Sequence, residues 1–144
     1  MEKQPQFPFA PKDFARCLNA TCPRSQNCLR RTAALQDTDE HLFLKVVNPL
    51  RYPKEGEECE LFRSTDKVRM ARGVTHLLDN VPYKEGSLLR NMIINHLGRS
   101  QYYRCFRKER PFSPQDQQTI RLLFRQRGIS EEPSFDYYTN EFNW

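Results

Sequence analysis

Residues 87–128 decide how the C-terminal part of the chain folds, and they read SLLRNMIINHLGRSQYYRCFRKERPFSPQDQQTIRLLFRQRG. Apolar residues recur at helical spacing along this stretch, and residues that begin or end helices separate the apolar runs. Ser113 gives the clearest helix start, because a capping hydroxyl precedes a proline at the first helical position and an acid in the first turn. The three predicted helices span residues 88–97, 101–109 and 114–127.

The residues before this stretch predict shorter elements. A short helix is expected to end near Gln36, HLFLKVV over residues 41–47 is the best strand candidate, and residues 59–62 are a second one. Apolar residues at helical spacing over residues 64–78 predict a further helix. The expected fold class is mainly α, of α+β type, with a small cysteine-containing N-terminal part that has one or two short strands and a four-helix C-terminal part.

With 144 residues, the chain has the length of one small domain. Ten Phe, six Tyr and one Trp compensate for an apolar share of only 38%, so disorder throughout is not expected. The expected organisation is an extended N-terminal arm over residues 1–14, a cysteine-rich subdomain over 15–63, a helical subdomain over 64–128, and an acidic aromatic tail over 129–144 that packs on the body.

No window of about 18 uncharged apolar residues occurs, which excludes a membrane-spanning helix. The N-terminal sequence MEKQPQFPFAPKDF lacks an apolar run that would direct secretion. An odd count of five cysteines in such a chain is more typical of thiols or metal ligands than of a disulfide framework. We therefore expect a cytoplasmic protein.

The net charge of +5 is concentrated in residues 87–128. This segment holds nine basic and two acidic side chains, and eight of its cations are arginines, whose planar forks suit phosphate and carboxylate recognition. Residues 129–144 hold four acids and no base. The alternative interpretation is a solvated helical surface that the acidic tail neutralises.

Four cysteines lie in the N-terminal part: Cys17, Cys22 and Cys28 have the spacing C-x4-C-x5-C, and Cys59 follows 31 residues later. Four thiolates would hold a tetrahedral Zn²⁺, or an iron–sulfur cluster, and would stabilise a part of the chain whose own core is small. Buried reduced cysteines and a disulfide or redox pair remain open as alternatives. Cys105 lies outside this group and is expected to pack on a helix face.

No recognisable catalytic motif is present. The chain lacks G-x-S-x-G, a Walker glycine loop, G-x-G-x-x-G and H-E-x-x-H, and its five glycines are too scattered to cradle a phosphate. We therefore expect a binding or structural protein and not an enzyme.

Residues 87–128 resemble the central part of phage-repressor-like helix-turn-helix domains. Leu97-Gly98 matches the end of the first helix, Ser100 matches the cap of the helix that enters the groove, and residues 111–114 match the turn that follows. Cys105 and Phe106, with Tyr102 one turn earlier, would supply the core face of the second helix. The resemblance implies that five residues face nucleic acid, namely Arg99, Ser100, Gln101, Tyr102 and Arg104. It also implies that Arg107, Lys108 and Arg110 reach phosphates.

The whole chain also resembles a short uncharacterised family found in Bacteroidales. That family shares the N-terminal cysteines, a CPR-to-CLR segment (residues 22–30) and a YYR-to-RP-to-SP segment (residues 102–114). This resemblance implies no function.

Two hypotheses follow from these patterns. The first is a regulator-like DNA-binding protein whose basic helical segment contacts nucleic acid with an affinity that falls as salt rises. The second is a protein-interaction or structural module, in which the basic helices hold the acidic tail or an acidic protein partner and Zn²⁺ stabilises the N-terminal part.

Overall fold

The computed structural model of the chain describes residues 8–36 and 40–144. Within these residues the regular elements are, in chain order, α1 (Leu29–Ala34), β1 (Val68–Arg72), α2 (Tyr83–Leu97), α3 (Arg99–Phe106), α4 (Pro114–Gln126) and β2 (Tyr137–Glu141). Single-turn 3₁₀ helices occupy Ser25–Asn27 and Pro49–Arg51. Helices dominate and the strands form one antiparallel sheet, which confirms the α+β fold class. None of the described helices combines the length and the apolar character that a membrane crossing needs.

The chain divides into two compact units. The first unit comprises Met1–Asp66 with Phe142–Trp144, and the second comprises Lys67–Glu141. The first unit has ten basic and ten acidic side chains, whereas the second has thirteen basic and eight acidic ones. The whole formal charge of +5 therefore belongs to the second unit. The predicted arm belongs to the first unit, and its residues 1–7 lie outside the described part.

The start of α4 forms as predicted. The Ser113 hydroxyl accepts a hydrogen bond from the Asp116 backbone N–H, and the Asp116 carboxylate accepts one from the Ser113 N–H, both at 3.1 Å. This reciprocal capping box satisfies two backbone donors that the helix itself leaves unpaired. Ile120 and Phe124 then face the core, and the helix ends just before Gly128.

A single residue, Gly98, joins α2 to α3. Its φ of 87° lies in the left-handed region that glycine adopts without strain, so the chain turns sharply there. α2 begins at Tyr83, before the predicted cap Ser87, because Pro82 serves as its N-cap and its carbonyl accepts from Gly86 at 2.9 Å. α3 ends at Phe106, short of the predicted residue 109.

The sheet replaces part of a predicted helix. β1 lies in residues 64–78, and it pairs with β2 so that Val68 faces Glu141 and Arg72 faces Tyr137. On the same strand, Ala71 exchanges two backbone hydrogen bonds with Phe112, at 2.7 and 3.1 Å. The helix prediction for this segment is wrong because these pairing partners are distant in sequence, and local spacing cannot reveal them.

The two strands predicted for the N-terminal part do not form. Residues 41–47 form one isolated bridge, in which Lys45 and Val47 exchange backbone hydrogen bonds with Arg16 at 2.9 and 2.8 Å. Leu42 and Phe43 are 96% and 93% exposed. Residues 59–62 form a turn, closed by a hydrogen bond from the N–H of residue 62 to the carbonyl of residue 59 at 3.3 Å. An apolar run becomes a strand only where other backbone pairs with it along its length.

Each unit has its own apolar core. The core cluster of the second unit contains Ala71, Leu77, Leu89, Ile93, Tyr102, Cys105, Phe112, Ile120, Phe124 and Phe135. The first unit has a smaller cluster of Ala10, Phe14, Leu29 and Ala33, against which Phe142 and Trp144 pack. Trp144 lies edge-to-face on Phe14, with ring centroids 5.3 Å apart.

Candidate functional site

Helix α3 divides its side chains between the core and solvent. Tyr102 and Cys105 are buried, at 6% and 0% exposure, which confirms them as the core face. Phe106 was expected on that face and is 55% exposed, because it is rotated by about 100° from Cys105 around the helix axis. Tyr103 is also exposed, and its ring meets that of Phe106 edge-to-face with centroids 6.4 Å apart.

Three arginines on α2 and α3 have no carboxylate within 4.0 Å among the described residues: Arg90, Arg99 and Arg104. The Arg99 guanidinium lies 5.8 Å from the Tyr103 ring centroid, and Arg104 donates to the Gln101 amide oxygen at 3.4 Å. These contacts orient the two side chains, and the charge of Arg104 also helps to lower the pKa of Glu109.

Arg90 lies next to α3 although it belongs to α2. Burial raises the pKa of Tyr102, and the nearby charge of Arg90 acts in the opposite direction. Arg90 is exposed and has no carboxylate within 4.0 Å among the described residues, and its charge acts on Tyr102 of α3. We call the exposed set the α3 surface, and it comprises Arg90, Arg99, Ser100, Tyr103, Arg104 and Phe106.

The other cations that the sequence assigned to nucleic acid each have a carboxylate partner. The three pairs are Arg107 with Glu109 at 2.9 Å, Lys108 with Asp136 at 3.4 Å, and Arg110 with Asp116 at 3.5 Å. The hydrogen bond between Arg107 and Glu109 raises the pKa of the guanidinium and lowers the pKa of the carboxyl. Their charges are compensated locally, so they offer less to an external anion than the α3 surface does.

The eight residues predicted to contact nucleic acid therefore differ in their exposure and in their partners. Arg99, Ser100 and Arg104 are exposed on α3, Gln101 is partly exposed, and Tyr102 packs in the core. Sequence reasoning missed Arg90, Tyr103 and Phe106. The spacing of Arg99 to Tyr103 and of Tyr103 to Phe106, four and three residues, is the signal that could have placed these side chains on one helix face.

The helix connection also differs from the one that the helix-turn-helix resemblance implies. That motif joins its helices through a turn of about three to four residues, whereas Gly98 alone separates α2 from α3. Gly98 is the N-cap of α3, so Ser100 lies inside the helix and does not cap it. Serine at this position is an exposed hydroxyl on the α3 surface.

The thiol of Cys105 is part of the core. Burial raises its pKa, while Arg110, whose Nη1 lies 3.6 Å from Sγ, acts in the opposite direction. The net effect favours the protonated thiol, and nucleophilic chemistry needs the thiolate. Cys105 packs on a helix face, as expected.

The other four cysteines line one small cavity in the first unit, of about 30 Å³, which we call the thiol cavity. Cys28 directly precedes α1 and forms a backbone bridge with Ser64, and the Cys17 N–H donates to the Arg30 carbonyl at 3.0 Å. All four are free thiols. Among the described residues, no three His, Cys, Asp or Glu side chains converge closely enough to ligate one ion.

Arginines surround the thiol cavity, and its lining contains no carboxylate. Arg30 is fixed by hydrogen bonds to the carbonyls of Leu61 and Ala15, at 2.7 and 3.0 Å. Burial lowers the pKa of the neighbouring Arg63, and the charge of Arg30 lowers it further. The arginines in the lining are Arg24, Arg30, Arg31 and Arg51.

Comparison with known proteins identifies one similarity. The model of a family of unknown function matches residues 1–144, which is the whole chain. No curated protein and no solved structure matches the chain significantly.

Proposed function

The chain belongs to that family, DUF6078, whose function is unknown, and we propose that this member binds nucleic acid through the α3 surface. One observation carries the proposal: α3 exposes Arg99 and Arg104, which have no carboxylate within 4.0 Å among the described residues, together with the rings of Tyr103 and Phe106. The proposal keeps the cytoplasmic location expected from the sequence.

Charge supports a polyanionic ligand. The second unit carries the entire formal charge of +5, so its average field attracts phosphates. Arg90, Arg99 and Arg104 present planar guanidinium groups, which bind phosphate oxygens through paired hydrogen bonds. Binding of these cations releases counterions from the nucleic acid, and this release supplies most of the sequence-independent affinity.

The exposed rings favour single-stranded nucleic acid. Tyr103 and Phe106 have faces on which unpaired bases can stack, and base–aromatic stacking tolerates any sequence. Arginine beside an aromatic ring adds a cationic contact to the same base or to its phosphate. The α3 surface thus combines the two features that proteins use to bind single strands.

The test is fluorescence polarisation of a labelled single-stranded DNA of about 16 nucleotides, titrated with the full chain at about 50 and 200 mM salt. The affinity of the wild-type chain is expected to fall steeply with salt. The double variant Arg99→Gln/Arg104→Gln removes two phosphate contacts. It is expected to weaken binding and to reduce the slope of log affinity against log salt by about 1.4.

A matched control removes the same charge elsewhere. Arg121 and Arg125 lie on α4, and both contact Glu132, at 2.6 and 3.6 Å. The variant Arg121→Gln/Arg125→Gln has the same net charge as the α3 double variant, so a larger effect of the latter identifies the position. Equal losses in both variants, or no salt-sensitive binding by the folded wild-type chain, would overturn the proposal. The second outcome would favour an acidic protein partner for the α3 surface.

A further inference from the structure

The first unit has few elements that hold it together. Its α-helix among the described residues is α1, with six residues, and its buried apolar cluster has four members. Units of this size with so small a core usually depend on disulfides or a metal ion. Its four cysteines are free thiols, and they line one cavity although the first and the last are far apart in sequence.

We propose that the thiol cavity binds one Zn²⁺ ion through Cys17, Cys22, Cys28 and Cys59. Zn²⁺ prefers four thiolates in tetrahedral geometry at its structural sites. This site is separate from the α3 surface, which belongs entirely to the second unit.

The arginines of the lining supply the charge that such a centre requires. Four thiolates around one Zn²⁺ have a net charge of −2, which is costly in a cavity unless cations lie close to it. Four arginines line the cavity and no carboxylate does. Arg51 contacts Glu60 at 3.8 Å, and the other three arginines have no carboxylate within 4.0 Å among the described residues, so the lining has a cationic excess. The proposed centre would balance this excess.

Metal binding would also reorganise the cavity. The sulfurs share one cavity but do not yet form a set of three ligands. Cys28 is held by its bridge to Ser64, whereas Cys22 and Cys59 lie outside helices and strands, so ligation of one ion requires their sulfurs to move towards it. Each thiol loses its proton to solvent when it ligates the ion, so affinity rises with pH and binding is coupled to folding of the first unit.

The test measures metal content in the full chain, purified without chelators and without nucleic acid. Inductively coupled plasma mass spectrometry is expected to find one zinc per chain. Replacing it with Co²⁺ is expected to produce the visible absorption of a tetrahedral thiolate site. Cys22→Ser and Cys59→Ser are expected to abolish both signals, whereas Cys105→Ala serves as the matched control and retains them.

Three results would overturn the proposal. They are a folded chain that binds neither zinc nor cobalt, a mass deficit of the intact chain that reveals disulfides among these cysteines, and a centre containing iron with inorganic sulfide. Circular dichroism of each variant checks folding. If Cys22→Ser unfolds the chain, Co²⁺ titration of the reduced wild-type chain still decides the result. Because no nucleic acid is present, this outcome is independent of the test of the α3 surface.

Discussion

At the scale of single residues, the neighbours of each cation decide what it can bind. Arg107 and Arg99 are both on or next to α3 and both are exposed, but Arg107 has a carboxylate of Glu109 at 2.9 Å. An anion that approaches Arg107 must compete with Glu109, whereas Arg99 lies over the ring of Tyr103 and has no carboxylate within 4.0 Å among the described residues. Charge counted along the sequence treats the two residues as equal, and their partners make them different.

Tyr103→Ala tests the aromatic part of the α3 surface. Loss of one stacked base is expected to weaken binding of single-stranded DNA by about 1–3 kcal/mol, with a smaller effect on duplex DNA, whose bases are already stacked. Polarisation titrations with both forms of DNA measure the difference. Tyr83→Ala is the control, because Tyr83 is a tyrosine of the same unit that is 92% exposed and lies at the start of α2. Equal losses in the two variants would contradict a stacking role for Tyr103.

At the scale of elements, a residue type that favours helix starts caps a helix only where it precedes the first turn, whose backbone N–H groups lack partners. Ser113 caps α4, because its hydroxyl and the Asp116 carboxylate satisfy backbone donors at the helix start. Ser87 has the same residue type, but α2 already begins at Tyr83, and Ser87 lies within the helix. The identity of a residue therefore does not by itself show whether it caps.

The two serines give a matched pair of substitutions. Ser113→Ala removes an N-cap and is expected to lower the free energy of unfolding by about 1 kcal/mol. Ser87→Ala places a better helix former at an exposed helical position and is expected to change stability by less than about 0.5 kcal/mol, in the stabilising direction. Urea denaturation of both variants measures these values. A loss for Ser87→Ala as large as that for Ser113→Ala would contradict the observed start of α2.

At the scale of the whole molecule, the sheet joins chain segments that are far apart in sequence. Arg72 on β1 binds Glu141 on β2 through its Nη2, 2.7 Å from Oε1. Burial alone would raise the pKa of Glu141, but hydrogen bonds from Arg72 and Thr139 outweigh this effect and hold the pKa below its ordinary value. The sheet of the second unit is therefore stabilised by a carboxylate that must stay ionised.

Acid is expected to weaken this contact. Because the folded pKa of Glu141 is lowered, its stabilisation is complete above the unfolded value of 4.5 and is lost as pH falls through the lower folded value. Glu141→Gln is expected to lower the free energy of unfolding at pH 7 by about 1 kcal/mol, after allowance for solvent screening. Between about pH 5 and pH 3, the free energy of unfolding of this variant is expected to fall by less than that of the wild-type chain. Urea denaturation at each pH measures this. Glu132→Gln, at a more exposed ion pair, is the control, and an unchanged acid sensitivity in Glu141→Gln would contradict the assignment.

The part of the fold that could be predicted from sequence is the part with local causes. The cap of α4, the glycine between α2 and α3, and the burial of Tyr102 and Cys105 all follow from residues within one or two helical turns. The strand β1 could not be predicted, because its apolar spacing also fits a helix and its partners, Phe112 and β2, lie far along the chain.

For the candidate site, the sequence located the concentration of arginines and the four cysteines of the first unit. It could not show that Arg107 has a carboxylate partner while Arg104 has none among the described residues, or that Phe106 faces solvent. Pairing distances and exposure are properties of packed surfaces, and a list of residues does not contain them.

The sequence alone thus determined the α+β class, the helices whose ends carry their own signals, and the sign of the charge in residues 87–128, because each depends on neighbouring residues or on composition. Only the tertiary structure decided which backbone pairs with β1, which cations have carboxylate partners, and that four distant thiols share one cavity. These features depend on contacts between segments far apart in sequence, and packing of the whole chain selects such contacts.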